Sequence, residues 1–176
     1  MMRGASWLRL LGGAGLLALP LCAAFGADVG ELMEFDRLTV TLVAAGLLLV
    51  CVILHYEAFA LLTRLLSRIG GRRRPRMLVL ILSLFVLHMI EVGLYAGAFH
   101  VLSSQPTFGS IAGGIPGDIF ENVYFSLACY TTVGFGDLVP TGPLRLLAGS
   151  EALAGFVLIT WSASFTFFEM ERLWRA

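Results

Sequence analysis

The run Cys129-Tyr-Thr-Thr-Val-Gly-Phe-Gly-Asp137 combines threonine hydroxyls, two glycines and a carboxylate at a spacing that could bind a cation. Its two glycines alternate with Val133 and Phe135, and glycine lets the backbone adopt conformations that other residues resist. Such a chain can turn successive carbonyl oxygens toward one axis, where they can replace the water shell of a cation. Thr132 could add a hydroxyl at the inner end of this path and Asp137 a carboxylate at its outer end.

The same run resembles a known family. Residues Thr131–Asp137 have the sequence TTVGFGD, which closely resembles the potassium-channel filter signature TVGYGD, with Phe135 where tyrosine is commoner. The resemblance covers roughly residues 77–175 and continues through Pro140 and Arg145. It implies that these residues line an ion path: Thr131, Thr132, Val133, Gly134, Phe135 and Gly136. It further implies K+ binding at Thr132, Val133, Gly134 and Phe135, with Asp137 at the outer mouth.

The resemblance also implies the fold class, an all-α membrane protein with a pore-loop channel domain preceded by one or two further transmembrane helices. The channel domain would occupy residues 77–176, with an outer helix, a pore helix over 118–130, a filter over 131–136 and an inner helix over 144–168. One chain supplies one pore loop, so a filter with four carbonyl faces requires a homotetramer. Irregular backbone at membrane depth must be buried in protein or line water, which independently argues for assembly.

Two questions about this loop stay open. A glycine-rich segment between apolar helices could be only a re-entrant turn without an ion path. Phe135 departs from the family pattern, because tyrosine there commonly hydrogen-bonds to aromatic side chains of the pore helix. We expect Tyr124 and Phe125 to pack around Phe135, while the strictness of selection against Na+ stays open.

The composition is that of an integral membrane protein. The 176 residues are 58% hydrophobic and only 14% charged. The three cysteines lie in apolar segments, without the spacing of a disulfide framework or a metal site. No nucleotide-binding or zinc-protease motif is present, and no nucleic-acid partner is expected.

The residues before the channel domain add membrane segments. Residues 1–27 fit either a secretory signal peptide or a short, retained first helix. Residues 28–76 hold another span, from Leu38 to about Leu62, with an acidic outer flank and a basic inner flank. The inner flank carries four arginines that could contact anionic lipid: Arg72, Arg73, Arg74 and Arg76.

The positions of the basic residues predict the orientation. The chain has no lysine, and ten of its twelve basic residues, all arginine, fall on segments assigned to the cytoplasmic side. The region Arg64–Arg76 and the C-terminus are therefore expected in the cytoplasm, and the filter toward the outside of the cytoplasmic (inner) membrane. Asp118 is expected to cap the pore helix from the outer side.

Three ionisable residues fall within predicted spans, where a charge is costly and is usually paired or functional: His88, Glu91 and Glu151. Glu91 and Glu151 come to a similar depth, near the expected pore helix. We hypothesise that Glu151, together with Glu91 and His88, supports the filter from the flanking helices. The alternatives are a satisfied hydrogen-bond network without a regulatory role and a proton sensor.

Other positions carry narrower expectations. Gly155 is a candidate gating hinge by resemblance, with close helix packing as the alternative. His55 and Glu57 lie near the inner end of their span, where an interfacial pair with nearby arginines is expected rather than the alternative, a ligand site. Four hydroxyl side chains of the last span are expected to face water or to bond to their own helix: Thr160, Ser162, Ser164 and Thr166.

The function implied by the resemblance is passive conduction of K+ through a tetrameric filter. K+ is the permeating ion, and no cofactor and no enzymatic step are expected. A weakly selective cation channel is the alternative within this class. A non-conducting accessory membrane subunit and an intramembrane enzyme built on His88, Glu91 and Glu151 are alternatives from other classes.

Overall fold

The computed structural model describes residues 35–68 and 73–175, so the predictions for residues 1–27 and for Arg72 lie outside the described residues. The described residues form an all-helical membrane protein, as predicted. The helices are α1 (Phe35–Arg68), α2 (Arg73–Ser103), α3 (Ile119–Tyr130) and α4 (Leu144–Arg175). Three of these helices, α1, α2 and α4, are long and apolar enough to cross a membrane.

The short helix α3 lies among the long ones. It packs against both α2 and α4, and α2 packs against α4. Helix α1 joins through side chains that enter two apolar clusters. In the first cluster, α1 meets residues of α2, α3 and α4: Val40, Ala44 and Cys51 with Tyr95, Phe99, Phe125, Leu147 and Leu158. In the second, it meets α2: Phe59, Leu62 and Leu66 with Leu80, Leu84 and Leu87.

One face of α1 is buried along most of its length. The buried positions of the helix recur every three, four or seven residues: Val40, Ala44, Cys51, His55, Phe59, Leu62 and Leu66. This spacing places the side chains on one helix face, because a helix turn takes 3.6 residues. His55 belongs to this series, so it is carried into the interior together with its apolar neighbours.

Two short strands connect the loop that follows α2 to the segment that follows the filter-like run. After α2, a 3-10 turn (Pro106–Phe108) leads to β1 (Ile111–Ala112), which pairs antiparallel with β2 (Val139–Pro140). Ile111 lies opposite Pro140 and Ala112 opposite Val139. This pairing fixes the position of the chain directly after the glycine-containing loop.

Helix α3 begins where the sequence predicts. The carboxylate of Asp118 accepts a hydrogen bond from the backbone N–H of Phe120 at 2.9 Å, so Asp118 is the N-cap of α3 as expected. Glu121 lies in the first turn, where a negative charge is favourable for the helix dipole. Its carboxylate also accepts from the backbone N–H of Ile115, which attaches the preceding loop to the start of α3.

Helix α4 continues to Arg175, beyond the predicted end at Phe168. The extra turns are supported by ion pairs within the helix, between Glu169 and Arg172 and between Glu171 and Arg175. Glu169 is almost fully buried and also binds the Arg76 guanidinium at 3.0 Å. The end of α4 is therefore held to the beginning of α2 by a charge pair that hydropathy cannot predict.

The ion pairs of Glu169 and that of Glu171 at this end of α4 predict different contributions to stability. We expect Glu169→Gln to lower the free energy of unfolding by roughly 1–3 kcal/mol, because a largely buried partner of Arg76 is lost. The matched control is Glu171→Gln, which removes the exposed partner of Arg175 and should cost about 0.5 kcal/mol or less. Thermal unfolding of the purified protein measures both, and equal effects would contradict the assignment.

Candidate pore loop and the groups that hold it

The run after α3 has an alternating backbone. The φ angle is positive at every second residue, 59° at Thr132, 52° at Gly134 and 82° at Gly136, and is not positive at Val133 or Phe135. Thr132 is the one described residue other than glycine with a positive φ. All seven residues from Thr131 to Asp137 are exposed on the single chain. The loop is thus an irregular, uncovered segment between membrane-spanning helices.

The loop is attached to the end of α3 by its own backbone. The N–H of Thr132 donates to the carbonyl of Cys129 at 2.9 Å, and the N–H of Gly134 donates to the carbonyl of Ala128 at 3.1 Å. The Thr131 hydroxyl donates to the carbonyl of Leu127. A left-handed residue directly after a helix is a common way to end it and satisfy its last carbonyls. Thr132 therefore both ends α3 and starts the alternation.

An aromatic pair and a hydrogen bond connect the middle of α3 to the far end of the loop. The rings of Tyr124 and Phe135 stack with centroids 6.0 Å apart and planes 7° from parallel. The Tyr124 hydroxyl donates to the Asp137 carboxylate at 2.8 Å. This hydrogen bond holds the pKa of Asp137 below its usual range, so the carboxylate keeps its charge to lower pH.

The expectation for the aromatic neighbours of Phe135 is half right. Tyr124 packs on Phe135 as expected, but Phe125 does not. Phe125 is buried on the other side of α3, with its ring 5.0 Å from that of Phe99 on α2. Neighbouring residues of a helix point about 100° apart, so two adjacent aromatics cannot both face the loop.

The last residue of α3 is held by a buried polar cluster. The Tyr130 hydroxyl donates to the Glu91 carboxylate, and Nδ1 of His88 lies 2.8 Å from the Tyr130 oxygen and 3.2 Å from Glu91 Oε2. The other oxygen of Glu91 accepts from Nδ1 of His55 at 2.8 Å. The predicted pair His88 and Glu91 is thus brought together with two residues from other helices, at the base of the loop.

The prediction for His55 is wrong. It was expected at the inner interface beside arginines, but the side chain is fully buried, with Nε2 3.1 Å from the Ser162 hydroxyl of α4 and the ring stacked on Trp161. No sequence signal distinguishes this face of α1, because apolar residues lie on all sides of the helix around His55. Ser162 also differs from Thr160 and Ser164, which bond to their own helix.

Glu151 reaches α3 at a different point. It is fully buried on α4 and hydrogen-bonds to the Ser126 hydroxyl, which also lies 2.8 Å from the carbonyl of Val92 on α2. The Ser126 hydroxyl can thus donate either to the Glu151 carboxyl group or to the Val92 carbonyl, and it links α3 to both neighbouring helices. Among the described residues, no hydrogen bond joins Glu151 to Glu91 or His88, so the three predicted residues form two groups rather than one.

Gly155 lies against the end of α3. A Cβ added at this position would meet the carbonyl oxygen of Tyr130 and lie 3.0 Å from its Cα. Close helix packing, the alternative to a hinge, is therefore present here. Hinge motion at Gly155 stays a prediction.

Comparison with known proteins agrees with this arrangement of a short helix and a loop between two spans. Residues 78–171, more than half of the chain, match the ion channel family. The chain therefore belongs to this ion channel family and is a membrane protein. The matched range includes α3, the loop and most of α2 and α4, whereas α1 and its His55 lie outside it.

The chain is also similar to one curated protein whose name states no function. Over 84 residues the chain is 32% identical to protein LctB of Geobacillus stearothermophilus. The aligned part is 48% of this chain and 61% of LctB, so the chain spans less than two thirds of that relative. No solved structure matches the chain.

Proposed function

We propose that four copies of this chain form a pore that conducts K+ passively and selectively through the TTVGFGD loop. The observation that carries the proposal is the alternation of backbone handedness at Thr132, Gly134 and Gly136, directly after a capped helix. Such alternation suits a chain that directs its carbonyl oxygens to one side. In this proposal, K+ is bound at Thr132 to Phe135, and Asp137 attracts cations at the outer mouth.

The proposed homotetramer follows from the exposure of the loop. Val133 and Phe135 are 56% and 67% exposed on the single chain. A backbone at membrane depth that lacks regular hydrogen bonding must be covered by protein or line water. Four loops around an axis satisfy both conditions, because each loop is covered by its neighbours and lines the path.

The proposed orientation places the loop outside and the beginning of α2 in the cytoplasm of a bacterial-type inner membrane, because arginines favour the cytoplasmic side. Anionic lipid could then bind the arginines at this end of α2. Arg76 is already paired with Glu169, so the proposal rests mainly on Arg72, Arg73 and Arg74. In this proposal conduction involves no enzymatic step, and K+ is the permeating ion.

The test of this function is the reversal potential of the purified protein in a planar bilayer, with K+ on one side and Na+ on the other. A reversal potential near the K+ equilibrium value supports selective conduction. A value near zero with clear current supports the second candidate, a weakly selective cation channel, which the loss of the tyrosine hydroxyl at Phe135 favours. No current under any voltage supports a non-conducting accessory subunit.

Replacing Phe135 tests how the loop is held from the side. We expect Phe135→Tyr to conduct and to give longer openings in single-channel records. The ring of residue 135 stacks on Tyr124, and a hydroxyl on it would add a hydrogen-bonding group that holds the loop in place. Tyr124→Phe should do the opposite, because it removes the bond to Asp137 and keeps the ring. Open times that are unchanged in both variants would contradict a bracing role for these aromatic residues.

Replacing Glu151 tests the support of α3 from α4. Glu151→Leu should lower the free energy of unfolding by about 1 kcal/mol and make ion flux decline during recording, because the bond to Ser126 is lost. The matched control is Glu151→Gln, whose amide can still donate to the Ser126 hydroxyl and should behave like the unmodified protein. If the leucine variant is as stable and as persistently conducting as the glutamine variant, Glu151 does not support the loop.

A further inference from the structure

Side chains from three helices meet in the polar cluster below the loop, and their types are those of metal ligands. His55 comes from α1, His88 and Glu91 from α2, and Tyr130 from the end of α3. One ligand atom from each of His55, His88 and Glu91 can be chosen so that all three lie within 4.8 Å of one another. The two imidazole rings have centroids 5.4 Å apart.

These separations suit a small divalent ion. Zinc binds imidazole nitrogen and carboxylate oxygen at about 2.0–2.2 Å, so ligand atoms around it lie roughly 3.3 Å apart. Two of the distances here are close to that value, one to each carboxylate oxygen of Glu91: Nδ1 of His55 lies 2.8 Å from Oε1, and Nδ1 of His88 lies 3.2 Å from Oε2. The Tyr130 oxygen, 2.8 Å from Nδ1 of His88, is available as a fourth ligand. An ion at the centre would replace the protons that now lie between these groups.

The surroundings orient the ligands as metal sites require. A metal-bound histidine usually gives its second ring N–H to a neighbouring acceptor, which fixes the ring and leaves the first nitrogen free for the metal. Nε2 of His55 has such a partner in the Ser162 hydroxyl at 3.1 Å. The His55 ring is also held between Trp161 and Phe59, with centroids 5.3 Å and 4.6 Å away.

Charge and access also favour a cation. Glu91 is fully buried and is hydrogen-bonded to His55, His88 and Tyr130, and a bound cation would take the place of their protons as the partner of its negative charge. The side chain of His88 is 20% exposed, so the cluster is reachable from one side. Imidazole together with carboxylate selects Zn²⁺ and related transition metals over Mg²⁺ or Ca²⁺.

We propose that His55, His88 and Glu91, with Tyr130 as a fourth ligand, form a binding site for Zn²⁺ or a similar transition-metal ion. Bound metal would clamp α1 and α2 to the end of α3, directly below the loop. One of the proposed ligands, His55, lies outside the range shared with the ion channel family, and metal binding is a property separate from ion conduction. Its test therefore uses metal binding and not ion flux.

The experiment is a Co²⁺ titration of the full chain in detergent after removal of metals with a chelator. Co²⁺ replaces Zn²⁺ and gives visible absorption bands when it is bound by protein ligands. We expect one Co²⁺ per chain, displaced by Zn²⁺, and affinity at least tenfold lower in His55→Gln and in His88→Gln. Ser162→Ala should weaken binding about tenfold, because it removes the group that orients His55.

His100 supplies the matched control, because it is the one remaining histidine of the chain and contacts Asn122 at the start of α3, away from the cluster. His100→Gln should bind Co²⁺ like the unmodified protein. Size-exclusion chromatography and thermal unfolding establish that each variant is folded, and Ser162→Ala keeps the test valid if His55→Gln does not fold. Absence of Co²⁺ bands in the unmodified protein, or equal binding by all folded variants, would overturn the proposal.

Discussion

Gly134→Ala is expected to abolish ion flux through the assembled protein. Gly134 has a φ of 52°, where an L-residue costs about 1–2 kcal/mol, and it lies in the middle of the alternating run. We expect K+ flux into liposomes to fall to the level of empty liposomes, while the protein stays folded.

The control for this variant separates backbone strain from a role in conduction. Gly117, in the loop that precedes α3, has a φ of 81°, and an added Cβ there would meet nothing within 4 Å. Gly117→Ala therefore introduces similar strain away from the loop and should conduct. Normal flux through Gly134→Ala would exclude the run as the ion path, and loss of flux in both variants would assign the effect to folding.

Gly155→Ala is expected to destabilise the protein by about 1–3 kcal/mol. The added methyl group would meet backbone atoms of Tyr130, which cannot move aside as a flexible side chain can. It would push the end of α3 away from α4, together with the start of the loop. Thermal unfolding of the purified protein should show a clearly lowered midpoint.

The same helix offers a control and a way to distinguish packing from hinge motion. An added Cβ at Gly149 would meet nothing within 4 Å, so Gly149→Ala should be neutral or stabilising through helix propensity. If Gly155 instead acts only as a hinge, Gly155→Ala should keep the unfolding midpoint and change the open probability. That outcome would contradict the packing role and support the hinge.

The sequence predicted the features that depend on neighbouring residues. The filter-like run is contiguous, so its glycine spacing directly predicts a backbone with positive φ at alternate positions. Asp118 was identifiable as the cap of α3 because capping depends on side chains within one helix turn. The spans were predictable because length and hydropathy are local properties.

The predictions failed where distant segments meet. His55 was assigned to an interface although it contacts Glu91 and Ser162 on two other helices. Phe125 was expected beside the loop although it packs against Phe99. The pairing of Arg76 with Glu169, which accompanies the longer α4, was also not predictable from a charge pattern at two separate chain positions.

The amino-acid sequence alone therefore predicts the spans, the capped short helix and the glycine-containing loop, and it assigns the chain to the ion channel family. The sequence does not predict which face of each long helix is buried against the other helices. The packing of the helices sets that face, and it brings Glu91 into contact with His55 and Tyr130 and Glu151 into contact with Ser126. The physical reason lies in the membrane. Lipid is as apolar as a protein core, so the lipid-facing and buried faces of a span are both hydrophobic, and hydropathy does not distinguish them.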